Sequence, residues 1–184
     1  VAELQEQGVV LEMSPKFSKF WTQITTFNVL EEIDVSKNIK AELREYQKKG
    51  LNWLWFLYSY GLNGILADDM GLGKTLQTLS LLQKAKDIDG RQASLVVCPT
   101  SVVFNWEAEV EKFAPKLSCL NLTGSSRKDF FDRIEKYDIV ITSYALLRRD
   151  IDILKKYNFR MIILDESQNI KNYESLTAQC SKQL

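Results

Sequence analysis

The sequence predicts an α/β fold, a central and mostly parallel β-sheet with helices on both faces. Three observations predict it. Five short apolar runs (GILA 64–67, SLVVC 94–98, SCLNL 118–122, DIVIT 138–142 and RMIIL 160–164) alternate with amphipathic stretches, as β-helix-β units do. The runs are apolar at consecutive positions, the pattern of strands buried on both sides. A glycine-containing turn also stands between the first run and a helical stretch, the usual setting of an anion-binding loop.

The elements follow in order. Residues 1–40 hold two mixed segments without a clean period, read as short helices joined by loops around SPK and SKN. Leu43, Gln47, Gly50, Leu54 and Leu57 recur at helical spacing, with Tyr46, Trp53 and Phe56 broadening the stripe, so 42–59 reads as a largely buried helix. GILA precedes a helix over 74–86. SLVVC precedes one through Val103, Trp106, Val110 and Phe113. SCLNL leads to a segment at 125–136, DIVIT to a helix at 143–156, and RMIIL to a last helix from Tyr173. MIIL is expected to be a central strand.

Composition narrows the function classes. Apolar residues make up 45% of 184, enough for the core of one domain or one lobe. The longest apolar stretch, LNWLWFLYSYGL, falls short of the roughly 20 residues a spanning helix needs. The chain contains no histidine, which excludes Ser-His-Asp and Cys-His mechanisms. Three scattered cysteines, without CxxC, argue against a disulfide scaffold or a zinc site. The formal net charge is zero, which by itself argues mildly against a nucleic-acid binder. Because the chain starts at Val1, it is read as an excised piece, with any upstream targeting segment unknown.

The stretch GILADDMGLGKTLQ departs from G-x-x-x-x-G-K-[ST], since Asp68 stands where the first glycine belongs. Gly71 and Gly73 still let the backbone curl so that successive N–H groups face one anion. The helix N-terminus adds partial positive charge there. Lys74 is placed to reach the β- and γ-phosphates, and Thr75 to offer its hydroxyl to Mg²⁺. The competing reading is a glycine turn before a core helix, with Lys74 simply solvated. The second element favours the first reading. MIILDE ends an apolar run in two carboxylates, and ligands gather at the carboxyl ends of parallel strands. Asp165 is then positioned to hold Mg²⁺ through water. Glu166 is positioned to orient or deprotonate the attacking water.

With these residues in hand the chain resembles helicase superfamily two. LREYQKKGLNWL, ADDMGLGKTLQ, LVVCPTSVVFNWEAE, ITSYALLRRD and DESQNIKN stand in that superfamily's order over residues 40–180. The run DESQNIKN, with NW after CPTSVV, is similar to the Swi/Snf-type helicase-like ATPases, and most to their bacterial members. The resemblance implies a RecA-like P-loop NTPase lobe, the first of two in a double-stranded-DNA translocase driven by ATP and Mg²⁺. Residues 41–184 would be that lobe and 1–40 a lead-in. The second lobe, with its arginine finger, would lie beyond Leu184, so the lobe alone would bind ATP weakly and hydrolyse it little.

Carried over by position, Gln47 would read the adenine edge. Asp69, Met70, Gly71, Leu72, Gly73, Lys74, Thr75 and Leu76 would form the nucleotide loop, with Thr75 and Asp165 holding Mg²⁺. Lys74, Asp165 and Glu166 would be the catalytic set. Thr100, Ser101, Thr142 and Ser143 would contact the DNA backbone, and Gln168 and Asn169 would couple nucleotide state to the motor. Each has a plainer alternative. Gln47 reads equally as a helix-surface amide, and Thr100 and Ser101 as caps of the next helix. Trp106 and the aromatics at 53–60 read as core. Arg127, Lys128, Arg148 and Arg149 read as solvated faces.

The family also implies partners and place: duplex DNA, nucleoprotein or polymerase substrates, no membrane, and a cytoplasmic setting at the nucleoid or, in a eukaryote, the nucleus. Two alternatives keep part of this. One is an RNA-dependent ATPase or true helicase of the same superfamily, against which DESQNIKN speaks. The other is a nucleotide-dependent interaction module, against which Glu166 speaks.

Overall fold

The structure, a computed structural model, describes Ser14, Pro15, Ser18, Trp21 and residues 30–184. The two helices expected within 1–40 lie largely outside the described residues. From Glu45 onward the elements are α1 (Glu45–Ser59), α2 (Lys74–Asp89), β1 (Ser94–Cys98) and α3 (Val103–Phe113), the last entered through a 3₁₀ turn at Thr100–Val102. Next come β2 (Cys119–Asn121), a 3₁₀ stretch Ser126–Lys136, β3 (Ile139–Ser143), α4 (Tyr144–Leu154) and β4 (Ile162–Leu164). A 3₁₀ turn at Ser167–Ile170 leads to α5 (Leu176–Ser181).

The sheet runs β2-β3-β1-β4 and every pairing is parallel. Both central strands are buried along their whole length, because helices cover the two faces. Val96, Cys98, Ile139 and Ile141 pack with Leu51, Leu79, Leu82, Val103 and Val110, residues of α1, α2 and α3. Leu95, Val97 and Val140 turn the other way, onto Ile134, Leu147, Ile151 and Leu154. This is the two-sided alternation of a parallel strand. Each fully buried leucine, such as Leu79 or Leu147, contributes about 2 kcal/mol of burial.

The sheet differs from expectation at one side. GILA does not become a strand: residues 64–67 have no strand assignment, and Ile65 is 84% exposed. Apolar content specifies burial but not a ladder partner, and a strand forms only where a free edge lies alongside. MIIL is accordingly the sheet's edge and not its centre. Its three paired residues bond only β1, and Ile162 is 36% exposed.

Arg127 also departs from the solvated reading. It is buried, with Nε and Nη2 donating to the two carboxylate oxygens of Asp150 at 2.6 and 3.0 Å. A buried guanidinium needs such a fork partner, and that partner lies beyond the local pattern. At the sheet's other end, Asp138 joins α2 to the starts of β2 and β3. It accepts from Lys86 Nζ at 2.9 Å and from Ser118 N and Oγ at 2.7 Å each. Burial pushes its carboxyl up, but the Lys86 and Ser118 hydrogen bonds outweigh burial and hold it below the usual range.

Candidate nucleotide and magnesium site

The glycine loop delivers α2 to the C-terminal side of the sheet. Gly71 and Gly73 have φ of 81° and 77°, values that an L-residue with a Cβ adopts only at a cost. Gly73 has a second constraint, since a Cβ there would lie 2.4 Å from Gln47 Nε2. The first helical bond of α2 runs from Gln77 N–H to Gly73 O at 3.1 Å. The N–H groups of Lys74, Thr75 and Leu76 precede it, so no helical carbonyl is available to them. A cluster of such donors is what a phosphate requires.

The loop is held from three directions. Lys74 Nζ donates to Asp68 O at 2.6 Å and Asp69 O at 3.1 Å. Gln77, fully buried, donates Nε2 to Asp68 Oδ2 at 2.9 Å. Its Oε1 lies where only a glycine fits on α1, for a Cβ at Gly50 would come within 1.9 Å of it. From α1, Gln47 Nε2 donates to Leu72 O at 3.0 Å, and Tyr46 Oη donates to the same carbonyl at 3.1 Å. Gln47 Oε1 accepts from Arg44 N–H at 2.9 Å, so this buried amide is no surface group. Both of its ends are engaged with protein. Met70 stands 88% exposed at the loop crest, while Leu76 is buried beneath it.

A cavity of about 690 Å³ opens between the loop and α3. Arg44, Tyr46, Gln47, Gly71, Gly73 and Leu76 line one side, and Asn105, Glu109, Lys112 and Phe113 the other. It has room for a nucleoside against the glycine turn.

The acid pair stands just past β4. Asp165 N–H extends the ladder by donating to Val97 O at 2.9 Å. Its carboxylate is fixed at both oxygens: Oδ1 accepts from Glu166 N–H at 2.9 Å, and Oδ2 from Trp106 Nε1–H at 2.8 Å. Tyr144 Oη donates to the Asp165 carbonyl at 2.8 Å. Burial first, then the charge of Asp165, pushes the Tyr144 hydroxyl well above its ordinary value, so it stays a donor. Glu166 has φ 51°, alone among the described non-glycine residues in being left-handed. Such strain costs about 1–3 kcal/mol and gathers at functional sites. Gln168 Nε2 bonds the Glu166 carboxylate, and Asn169 Nδ2 donates to the Glu166 carbonyl at 2.8 Å.

Helix α3 joins the two halves. Glu109 lies beside the hydroxyl of Thr75; burial outweighs the pull of Thr75 and Lys112 and holds its carboxyl above the usual range. Glu109 and Tyr144 carry no sequence signal of their own, and Trp106 lies on an apolar helical stripe. Trp106 is buried, but a buried indole N–H requires an acceptor, and Asp165 Oδ2 supplies it. Mg²⁺ prefers hard oxygens, keeps waters, and is held by one or two protein groups plus substrate phosphates. Thr75 and Asp165 fit that donor set. Among the described residues no three His, Cys, Asp or Glu side chains gather as an all-protein cage would need.

The remaining predicted residues sit at the ends of the central strands. Thr142 pairs with Val97 and Ser143 with Cys98. Thr100 and Ser101 are exposed. Thr142 and Ser143 are buried, and their hydroxyls already have roles. Thr142 Oγ1 donates to Leu122 O at 3.3 Å, and Ser143 Oγ caps α4 by accepting from Leu146 N–H at 3.3 Å. Neither Thr100 nor Ser101 caps α3, whose N-cap is Val102.

A parallel sheet with a glycine loop before one helix, and an acid pair after a strand, defines the RecA-like nucleotide-binding lobe. The chain belongs to the SNF2-related domain family, whose model matches residues 46–184. YwqA of Bacillus subtilis (strain 168) is 39% identical over 182 residues, covering 96% of this chain and 20% of YwqA. Helicase SWR1 of Debaryomyces hansenii is 46% identical over 143 residues, covering 74% of this chain and 9% of SWR1. Among solved structures, the Sulfolobus solfataricus SWI2/SNF2 ATPase core in complex with dsDNA is 44% identical with a TM-score of 0.78. That match covers 84% of this chain and 32% of the solved chain. The chain therefore spans a fifth or less of these curated relatives and a third of the solved core. The likeness extends over a bacterium, an archaeon and a yeast, and does not single out bacterial members.

Proposed function

We propose that this chain is the ATP-binding lobe of a DNA-dependent ATPase that moves along duplex DNA. The observation that carries the reading is the meeting of the glycine loop and the acid pair on one wall, α3, whose Asn105 and Glu109 line a cavity with Gly71 and Gly73 and whose Trp106 bonds Asp165. Membership of the SNF2-related family supports it. In the solved Sulfolobus relative the ATPase core is bound to dsDNA.

The residues divide the work. The N–H groups from Gly71 to Leu76 cradle phosphate oxygens, and Lys74 turns its ammonium from the Asp68 and Asp69 carbonyls to the β- and γ-phosphates. Asp69, Met70 and Leu72 shape the loop, and Gln47 braces it beside the adenine pocket. Thr75 and Asp165 hold Mg²⁺, which when bound neutralises charge on the phosphate oxygens. Glu166 orients the attacking water, its carboxylate held by Gln168 and its backbone by Asn169. That pair links the γ-phosphate position to the turn leading into α5.

Residues 41–184 form the first of two RecA-like lobes, with 1–40 as a lead-in. The arginine that completes catalysis, worth about 10³–10⁵ in rate, comes from the second lobe. Duplex DNA, bare or carrying bound protein, lies against the exposed hydroxyls of Thr100 and Ser101, with Thr142 and Ser143 supporting that edge from inside. Half the DNA surface would then belong to the other lobe, which accounts for the zero net charge of this one. Such an enzyme works wherever the genome is, in the bacterial cytoplasm or the nucleus. Among the described residues no helix is long and apolar enough to cross a membrane.

The test is ATP turnover by the full-length protein as duplex DNA is added. The rate is expected to rise to a plateau. A rate indifferent to duplex DNA contradicts the reading, and stimulation by RNA alone transfers the enzyme to an RNA track.

A further inference from the structure

Two side chains of α3 face the two oxygen donors assigned to Mg²⁺. Trp106 Nε1–H donates to Asp165 Oδ2 at 2.8 Å, and Glu109 lines the cavity with Gly71 and Gly73 and lies beside the Thr75 hydroxyl. Trp106 and Glu109 are three residues apart and so share one face of the helix. The donors they engage belong to separate elements: Thr75 lies in the first turn of α2, and Asp165 follows β4, which pairs only with β1. α3 is anchored in the core by Val103 and Val110.

We propose that α3 sets the spacing and orientation of the magnesium donors, with Trp106 and Glu109 acting as positioning residues. The inference rests on the reading of the loop and acid pair as a Mg²⁺-nucleotide site. Its chemistry follows from donor counts. A threonine hydroxyl has one proton and two lone pairs. Giving the proton to Glu109 leaves both lone pairs for a cation, whose polarising charge then strengthens that hydrogen bond. The Asp165 carboxylate, bonded at Oδ2 by Trp106 and at Oδ1 by Glu166 N–H, is held to a single rotamer with its remaining lone pairs available. Outer partners of this kind change metal affinity about 10–100-fold when removed.

The experiment measures a fluorescent ADP analogue bound to the protein in EDTA and during a Mg²⁺ titration. Trp106→Phe keeps a ring and removes the N–H; Glu109→Ala removes the acceptor, and Glu109→Gln restores one. Trp106→Phe and Glu109→Ala should each raise the Mg²⁺ midpoint about 10–100-fold, and Glu109→Gln should recover most of the loss. Midpoints for Trp106→Phe and Glu109→Ala within about twofold of the unaltered protein overturn the proposal. If Trp106→Phe does not fold, the two Glu109 variants decide, since that side chain is only half-buried and fills no core position. Lys74→Ala separates this from the underlying reading. Undiminished ADP binding in that variant removes the nucleotide site itself, whereas lost binding with unshifted magnesium midpoints removes only the role of α3.

Discussion

Lys74→Ala is expected to lower ATP turnover of the full-length protein by about 10²–10³, the scale for losing one positioned donor to developing charge. Lys74 is the cation of the loop, placed at the first position of α2 after Gly73. Its ammonium bonds the carbonyls of Asp68 and Asp69, so its removal also takes two bonds from the turn. Lys74→Arg separates the two roles. It keeps the charge, but a planar fork cannot replace a compact ammonium in so tight a turn, and its turnover should stay low. Turnover within tenfold of normal in both variants would mean that the loop does not hold the reacting phosphates.

Glu166→Gln is expected to lower turnover by about 10²–10⁴, the range for a positioned general base or water-orienting group, while the protein still binds ATP. The substitution keeps size and hydrogen-bonding capacity and removes charge and basicity. The left-handed backbone at Glu166 and its bonds from Gln168 and Asn169 aim the side chain without depending on its charge. The variant should therefore fold normally and accumulate bound ATP. If rapid-quench measurements show ATP cleaved at the normal rate, Glu166 has no part in water activation and a binding-only role for the lobe gains ground.

The sequence was most informative where chemistry and periodicity coincide. The strands SLVVC and DIVIT, the glycine loop and the acid pair were legible because each combines a burial pattern with residues unsuited to plain structure. What it could not convey was pairing across long separations. GILA has the composition of a strand, yet composition does not supply a neighbouring edge, and 64–67 stays outside the sheet. Arg127 read as solvated because its partner, Asp150, is 23 residues away. Trp106 read as core from its place on the apolar stripe, which was correct for its ring and incomplete for its N–H. The acceptor, Asp165, is 59 residues distant. Tyr144 was missed for the same reason, its acceptor being 21 residues on. Thr142 and Ser143 were legible as hydroxyls at a strand end, but their burial depends on how the neighbouring strand and α4 pack.

Under the proposed function, the turn at Gly71–Thr75 and the acid pair share one Mg²⁺-nucleotide. Amide NMR of the ¹⁵N-labelled chain during addition of Mg²⁺ and ADP tests it most directly. Saturable shifts are expected at the N–H groups from Gly71 to Leu76, at Glu166, and at the indole N–H of Trp106, identified by its loss in Trp106→Phe. Shifts confined to residues outside this set, or loop amides that stay unmoved while ADP binds, would contradict it.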